Sequence, residues 1–455
     1  MGAAKATAGR RIALDILLEC DRSGAKSGDI IKAALDKYDY LEQRDKAFIR
    51  RLSEGCIERA ITLDYIIDLF ASTKTSKMKA AVRIIMRMGV YQLMYMDNVP
   101  DAAACNESVS LAVGKGFSGL RGFINGVLRN ISRNKASIAW PDKEKDVFAY
   151  LSVKYSMPLW IVKKIYGYYG SARCENMLDS YQRERDISVN ILKGDKRELT
   201  AAWEKSGVRV SRSPYLDNAF LLGNVPGVSA LAGFYEGSFI VQDSASMLAV
   251  KAAGIKEGDT VIDLCAAPGG KSIYAASMCG SQGRVYAFDL SEAKAERIKE
   301  NAGRVKADNI IAAVHDATVF DPELEDKADV LIADLPCSGL GVMGRKADIR
   351  YRLKEDDICA LARLQRDILK NAASYVKPGG VLMYSTCTVS REENEDNRKW
   401  FIDNFDFEAL GFAERMPQAF KESTASEGYL QLICGEPEGM PLMDGFFISL
   451  FRRRS

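Results

Sequence analysis

From about residue 236 to its end, the sequence alternates between short apolar runs and amphipathic stretches. The apolar runs have the length of buried strands, and Glu292–Arg304 and Glu355–Tyr375 have helical spacing. This alternation predicts a parallel sheet covered by helices on both faces. The predicted strands are Thr260–Leu264, Arg284–Asp289, Ile310–His315, Val330–Asp334, Val381–Ser385 and Gly445–Phe451.

The first part of the chain has a different pattern. Residues 8 to about 133 carry apolar side chains at three- and four-residue spacing, which predicts packed helices, and Met78–Met96 is rich enough in Met, Ile, Leu and Tyr to be the central helix of a bundle. Residues 142–235 read as mixed α+β, with helices near 159–180 and a strand at Ile187–Leu192. We therefore predict three domains: 1–135 all-α, 136–235 a small connecting α+β domain, and 236–455 an α/β Rossmann-like domain.

Charge is distributed unevenly between these parts. The whole chain has a formal net charge of +2, but residues 1–135 hold 22 Lys and Arg against 15 Asp and Glu, which leaves 41 against 46 for the remainder. A basic first domain fits an RNA- or DNA-binding module attached to an enzyme. Arg129, Arg133 and Lys135, at the end of its last predicted helix, are candidate phosphate contacts. The alternative is a chance imbalance of ordinary solvated faces.

The cysteine and histidine content bears on metal binding and on compartment. The ten cysteines form no Cys-x-x-Cys pair and His315 is the sole histidine, so a zinc site is not expected. Asp15 interrupts the first apolar stretch, and no run approaches the roughly 18 apolar residues of a membrane span. We expect a reduced, soluble, cytoplasmic protein that binds no metal and no membrane and is a monomer.

A glycine-rich loop follows the first predicted strand of the last domain. Residues 263–272 read Asp-Leu-Cys-Ala-Ala-Pro-Gly-Gly-Lys-Ser, in which glycines let the backbone approach a ligand closely. Asp289 ends the next strand, where a carboxylate can accept both ribose hydroxyls of an adenosine-containing cofactor. Asp316 follows the third strand and is a candidate partner of the adenine amino group. The alternative interpretation is a tight turn with surface carboxylates.

Two thiols follow the next two predicted strands. Cys337 closes Asp334-Leu-Pro-Cys, and Cys387 closes Tyr384-Ser-Thr-Cys. A single buried cysteine is usually inert core, but two at neighbouring strand ends beside a nucleoside-cofactor loop suggest covalent catalysis. Methylation of carbon 5 of a pyrimidine needs such a nucleophile at carbon 6, and Asp334 could face the ring nitrogen and amine of a cytosine. His315, before Asp316, is an unfavoured candidate for a general base.

Several short motifs are shared with known families. In the predicted α/β domain they are Gln242-Asp-Ser, Cys265–Lys271, Asp289, Asp334-Leu-Pro-Cys-Ser-Gly, Tyr384-Ser-Thr-Cys, Glu393-Asn and Asp444-Gly-Phe-Phe. In the first domain they are Arg44-Asp, Gly55, Leu63-Asp, Tyr91-Gln-Leu, Asn106-Glu-Ser-Val and Asn125-Gly-Val-Leu-Arg. The first set resembles the Nop/Sun family of RNA (cytosine-5) methyltransferases, and the second resembles NusB-like RNA-binding domains. Together they resemble bacterial 16S ribosomal RNA methyltransferases of the RsmB/Sun/Fmu type.

The resemblance implies S-adenosylmethionine as methyl donor and 16S ribosomal RNA as partner. It implies that Asp289 holds the ribose, with Lys294 on the ribose side, and that Asp316 lies near adenine. It further implies that Asp334 meets the target cytosine and the cofactor, that Cys387 is the nucleophile and that Cys337 helps release the product. The loop that it implies cradles the methionine portion consists of Cys265, Ala266, Ala267, Pro268, Gly269, Gly270 and Lys271.

The chain departs from the family pattern in two places. It has Leu335 where the family usually has Ala, and Ala347-Asp-Ile with Tyr351 where Pro-Asp-Ile and Trp are common. Two alternatives to an rRNA methyltransferase stay open from sequence: the same chemistry on transfer RNA, and a non-catalytic RNA-binding assembly factor with a decayed methyltransferase fold. The presence of both thiols, the glycine loop and Asp334 argues against decay.

Overall fold

The computed structural model describes residues 2–455, with side chains from residue 8 onward. It divides into two compact units. The first holds the chain up to Asp179 together with Arg345–Leu353, and the second holds Ser180–Gly344 and Lys354–Ser455. Because these limits differ from 1–135, 136–235 and 236–455, the three-domain division stays a prediction.

The first unit is helical, as its periodicity predicts. The core consists of apolar side chains from successive helices, and α5 lies at its centre with most of its residues buried. Close packing makes one glycine necessary: a Cβ on Gly55 would lie 1.9 Å from the ring of Tyr91. The helices are α1 (Gly2–Ser23), α2 (Ser27–Lys37), α3 (Gln43–Glu58), α4 (Ala60–Phe70), α5 (Ala80–Tyr95), α6 (Asp101–Gly114), α7 (Arg121–Asn134), α8 (Val147–Lys154) and α9 (Leu159–Ser180, interrupted at Gly170).

The distant segment Arg345–Leu353 is part of this helical unit. Arg350 is 1% exposed, and its guanidinium donates to the carbonyl oxygens of Glu58 (3.3 Å) and Ser156 (3.2 Å). The Tyr351 hydroxyl lies 3.2 Å from the Ser156 hydroxyl oxygen, and the Asp348 carboxylate accepts from the backbone N–H of Ser27 at 3.2 Å. Ala347 and Tyr351, two of the residues that depart from the family pattern, therefore belong to a nine-residue segment of the helical unit.

The rest of the chain forms two sheets with helices. Its elements are, in order, β1 (Ile187–Ile191), α10 (Lys196–Lys205), β2 (Arg209–Arg212), β3 (Ala219–Gly223), β4 (Phe239–Val241), α11 (Ser244–Ala253), β5 (Thr260–Asp263), α12 (Gly270–Cys279), β6 (Arg284–Asp289), α13 (Glu292–Val305), β7 (Ile310–Val314), β8 (Ala328–Asp334), α14 (Ile349–Arg352, within the helical unit), α15 (Glu355–Tyr375), β9 (Val376–Thr386), α16 (Glu395–Asn404), β10 (Phe407–Ala409), β11 (Tyr429–Leu432) and β12 (Phe446–Arg453). The first four strands make a small antiparallel sheet in the order β2-β3-β1-β4 around Trp203.

The main sheet has the order β7-β6-β5-β8-β9-β12-β10, with β11 also paired to β12. Strands β5 to β9 are parallel, as predicted, but β10, β11 and β12 are antiparallel to their partners. The expectation of a parallel sheet was therefore wrong for β12, and the short strands β10 and β11 were not predicted. No helix lies between β11 and β12, so the chain returns directly as an antiparallel neighbour rather than through a crossover.

Strand alternation accounts for the two cores on either side of this sheet. Val330 and Ile332 of β8 pack with α11 and α12, whereas Leu331 and Ala333 pack with α15 on the opposite face. The chain runs from β5 through β6 to β7 on one side and then returns to β8 on the other, so a topological switch point lies between β5 and β8. Ligands in open α/β sheets bind beyond the carboxyl ends of strands at such a point.

Candidate active site

The glycine-rich loop connects β5 to α12 at this switch point. Gly269 has φ +102°, a conformation that favours glycine, and a Cβ there would lie 3.4 Å from Ile298. The loop is held by hydrogen bonds from the Ala266 N–H to the Phe288 carbonyl (2.8 Å) and from the Ala267 N–H to the Asp289 carboxylate (3.0 Å). The glycine-rich loop and the end of β6 are thus joined by hydrogen bonds.

Three adjacent parallel strands each end in an aspartate. Asp334 ends β8, Asp263 ends β5 and Asp289 ends β6. Asp289 is 4% exposed and accepts from the Leu290 N–H and from the half-exposed Lys294 ammonium, both at 2.8 Å. A row of carboxylates at the carboxyl ends of adjacent strands can accept hydrogen bonds from hydroxyl and ammonium groups of a ligand.

Asp263 was not among the predicted site residues. Its carboxyl is fully buried, and the Ser272 hydroxyl donates to Oδ2 at 2.6 Å, while Oδ1 has no hydrogen-bond partner within the described residues. Burial raises the pKa of Asp263 to about 7, and the neighbouring carboxylates Asp334 and Asp289 add to the rise. Its position as the last residue of a strand, like Asp289 and Asp334, is the sequence signal that could have identified it.

Lys271 and Asp334 form an ion pair between the loops after β5 and β8. Lys271 Nζ lies 2.6 Å from Asp334 Oδ2, and the Ser385 hydroxyl donates to Asp334 Oδ1 at 2.8 Å. The pKa of the Lys271 ammonium is raised. Burial by itself would lower this pKa, but the interactions with Asp334, Asp263 and the Cys387 sulfur outweigh burial. The ammonium is therefore charged and available to stabilise a nearby anion. Ser385 was missed from sequence because a serine within a buried strand resembles ordinary core.

The two predicted thiols meet in this crevice. Cys337 Sγ and Cys387 Sγ are 3.3 Å apart, within hydrogen-bond distance for sulfur, and both side chains are partly exposed. The contact with Cys387, together with burial, raises the pKa of the Cys337 thiol well above its ordinary value. The Cys337 thiol therefore keeps its proton, and its S–H can donate to the Cys387 sulfur.

A close crossing of two backbones fixes the loop that carries Cys387. The Gly341 N–H donates to the Cys387 carbonyl, and the Gly445 N–H donates to the Gly341 carbonyl, each at 3.0 Å. A Cβ on Gly341 would lie 1.9 Å from the Gly445 carbonyl oxygen, so no other residue fits there without movement of the backbone. The segment before β12 thus helps to position the second thiol loop.

The other predicted site residues, Asp316, His315 and Cys265, do not contact the two thiols. Asp316 follows the edge strand β7, is exposed, and accepts from the Thr318 N–H and hydroxyl, which lower its pKa. His315 packs against Phe288, with ring centroids 5.3 Å apart. The Cys265 thiol packs against the core beneath the sheet, and burial raises its pKa. Neither His315 nor Cys265 joins the pair of thiols.

Within residues 2–455, no helix is long and apolar enough to cross a bilayer. No group of three or more His, Cys, Asp and Glu side chains is arranged to hold a metal ion in the same part of the chain.

Two models of known protein families match the two parts of the chain. Residues 250–452 match the family model of 16S rRNA methyltransferase RsmB/F, and residues 7–133 match the NusB family. A Bacillus subtilis protein described as a probable ribosomal RNA small subunit methyltransferase B is 34% identical over 99% of this chain and all of its own length. The chain belongs to the RsmB/F family of rRNA methyltransferases.

Other family members and solved structures agree with this assignment. The Klebsiella pneumoniae (strain 342) ribosomal RNA small subunit methyltransferase B is 31% identical over 91% of this chain and 92% of its own. The crystal structure of PH0851 is 25% identical, with a TM-score of 0.79 over 97% of this chain and 99% of that one. The predicted fold classes, a NusB-like helical domain and a Rossmann-like methyltransferase domain, are confirmed, and the chain is an rRNA methyltransferase.

Proposed function

We propose that this chain methylates carbon 5 of a cytosine in 16S ribosomal RNA, through a covalent bond between Cys387 and carbon 6 of that base. The observation that carries the proposal is the pair of thiols 3.3 Å apart at the ends of adjacent strands, beside the Lys271–Asp334 ion pair. Small subunit ribosomal RNA as substrate rests on the printed names of the relatives in the same family.

We propose S-adenosylmethionine as the cofactor, and the donor set of the crevice fits this molecule. Gly269 turns the chain into α12 with φ +102°, and Asp289 ends β6 where a ribose would be held. The buried Asp263 Oδ1 has no hydrogen-bond partner among the described residues. Residues Cys265 to Lys271 would hold the methionine portion, with Asp289 and Lys294 at the ribose and Asp316 at the adenine. When bound, this cofactor supplies an electrophilic methyl group for carbon 5.

Cys387 would act as the nucleophile. Carbon 5 of cytosine is too poor in electrons to react unaided, but addition of the thiolate to carbon 6 forms an S–C bond and moves the electrons of the 5,6 double bond toward carbon 5. Lys271, whose ammonium is paired with Asp334 in the same crevice, would stabilise negative charge that develops during the attack. Asp334 would face the ring nitrogen and amine of the cytosine and hold the base in place.

Cys337 would act in product release. After carbon 5 is methylated, its proton leaves to water, the electrons of that C–H bond re-form the 5,6 double bond, and the C6–S bond breaks with its electrons on sulfur. A protonated thiol 3.3 Å from Cys387 can donate a hydrogen bond to the departing thiolate. The raised pKa of Cys337 keeps that proton in place.

The test is methylation of defined RNA by the purified chain, followed by bisulfite mapping of 5-methylcytosine. We expect one cytosine of 16S ribosomal RNA to be modified, offered either as free RNA or as assembled small subunit, and the same position to be unmodified in a deletion strain. Modification of transfer RNA alone would overturn the proposed substrate. Methylation of a base other than cytosine would overturn the proposed chemistry.

A further inference from the structure

A buried carboxyl group lies behind the Cys337 loop and has no role in the reaction described above. Glu393 is fully buried between the end of β9 and the start of α16. Its Oε1 accepts from the Ser338 backbone N–H at 2.8 Å, and its Oε2 accepts from the Ser338 hydroxyl at 2.5 Å. Both carboxylate oxygens are therefore directed at the residue that follows Cys337.

The residue before Cys337 is held from the same place. Gln365, fully buried on α15, donates from Nε2 to the Pro336 carbonyl at 2.8 Å and to Glu393 Oε1 at 3.1 Å. The Gln365 amide oxygen in turn accepts from the Tyr384 hydroxyl (3.0 Å) on β9. Glu393 and Gln365 thus clamp the backbone on both sides of Cys337.

The same clamp reaches the loop of the other thiol. The hydroxyl oxygens of Ser338 and Thr388 are 2.6 Å apart, and Thr388 directly follows Cys387. The two thiol loops are therefore joined behind the sulfur atoms by one buried hydrogen-bond network. Since the two sulfurs must stay in contact for one to donate to the other, a network that fixes both loops fixes the contact as well.

The burial of Glu393 is costly, which argues against an incidental role. Burial raises its pKa, while hydrogen bonds from Ser338, Gln365 and Ser390 oppose that rise by stabilising the ionised form. The negative charge of Glu393 also affects Cys337. The pKa of the Cys337 thiol is raised mainly by Cys387 and by burial, and Glu393 adds a smaller contribution.

We infer that Glu393 is a positioning residue for product release: with Gln365 it holds Pro336 and Ser338 so that the Cys337 thiol stays against the Cys387 sulfur. The inference rests on the proposed function, because it assigns to Glu393 a part in the step given to Cys337. It predicts that loss of the clamp impairs release of the RNA and leaves the attack by Cys387 intact.

The test is Glu393→Gln in the full chain, because an amide keeps the size of the side chain but cannot accept hydrogen bonds on both of its terminal atoms. We expect methyl transfer in a single turnover at close to the wild-type rate, steady-state turnover slower by about 10²-fold, and a covalent protein–RNA complex on denaturing gels. Ser338→Ala, which removes only the hydroxyl contact, should give a smaller effect in the same direction.

Two controls separate positioning from a general loss of structure. Asp329→Asn alters a carboxylate that accepts from the Thr260 N–H (2.9 Å) at the opposite end of β8, and it should leave both rates unchanged. In a double-mutant cycle, adding Glu393→Gln to Cys337→Ala should slow release no further, because both changes act through one sulfur. Additive losses, or a single-turnover rate that falls in parallel with turnover, would overturn the inference.

The outcome also distinguishes this inference from the function on which it rests. If Cys337→Ala accumulates the covalent complex and neither Glu393→Gln nor Ser338→Ala does, the clamp is refuted and the proposed function stands. If Cys337→Ala accumulates no complex, the release role of Cys337 is wrong and the clamp is refuted with it.

Discussion

In the helical unit a buried charge is paired with backbone carbonyls, whereas in the second unit (Ser180–Gly344 and Lys354–Ser455, here the catalytic unit) carboxylates lie close to one another and to the thiols. The Arg350 guanidinium donates to the backbone carbonyl oxygens of Glu58 and Ser156 in the same unit. Asp263, Asp289 and Asp334 instead end adjacent strands, although their mutual repulsion contributes to the raised pKa of Asp263. The first arrangement stabilises the fold. The second is destabilising because the carboxylates repel one another, as is common where residues are arranged to bind a ligand.

This difference predicts that Arg350→Met lowers the stability of the helical unit and leaves cofactor affinity unchanged. Loss of a charged donor from two buried carbonyls should cost about 3 kcal/mol in the free energy of unfolding, measured by denaturant titration. Arg352→Met is the matched control, because Arg352 is 36% exposed and pairs with Asp348 at 3.0 Å, so its loss should cost less than about 1 kcal/mol. Equal losses for the two variants would contradict the distinction.

The converse is expected for Asp289→Ala, which should weaken S-adenosylmethionine binding by roughly tenfold or more. Two ribose hydroxyls would lose a charge-assisted acceptor, a loss on the order of 1.5–3 kcal/mol, which calorimetry measures directly. Because Asp289 also accepts from the Ala267 and Leu290 N–H groups, a thermal melt must show that the variant is folded. A folded variant with wild-type affinity would remove Asp289 from the cofactor site.

The buried carboxyl of Asp263 should make stability depend on pH. Its pKa is about 7 in the folded protein against an ordinary value of 3.8, so the folded state binds the proton more tightly. The resulting stabilisation is full below about pH 4 and is lost as pH rises to about 7, with a slope of up to about 1.4 kcal/mol per pH unit. Between about pH 4 and pH 7, the free energy of unfolding of the cofactor-free wild type should fall relative to that of Asp263→Asn. If the two variants instead show parallel pH dependence, the pKa of Asp263 is not raised by folding.

The smallest effect is expected at the basic end of α7. Arg129, Arg133 and Lys135 are exposed, although Lys135 also pairs with Asp101 at 3.1 Å. Their joint replacement by Ala should flatten the salt dependence of RNA binding by about one unit of log–log slope per lost phosphate contact. Lys299→Ala with Lys370→Ala, two exposed ion-paired lysines of the catalytic unit, is the control. An unchanged slope in the triple variant would make the patch an ordinary solvated face.

The sequence predicted the strand ends and the residues on them because strand position and loop chemistry are local properties. The glycine loop, Asp289, Asp334 and both thiols could be read in this way. The roles of Glu393 and Gln365 could not, although Glu393 belongs to a motif that matches the family. A buried glutamate beyond a strand and a glutamine on an amphipathic helix have roles that depend on the loop they contact. Arg350 was missed for the same reason: within a charged stretch it resembles surface, and its carbonyl partners are about 200 to 300 residues away.

The most direct test of the central claim is which of the two cysteine variants traps RNA covalently. After incubation with 16S ribosomal RNA and S-adenosylmethionine, Cys337→Ala should transfer a methyl group and accumulate a protein–RNA complex that survives a denaturing gel. Cys387→Ala should show neither methylation nor complex, because it lacks the sulfur that attacks carbon 6. A complex trapped by Cys387→Ala rather than by Cys337→Ala would reverse the two roles and contradict the account.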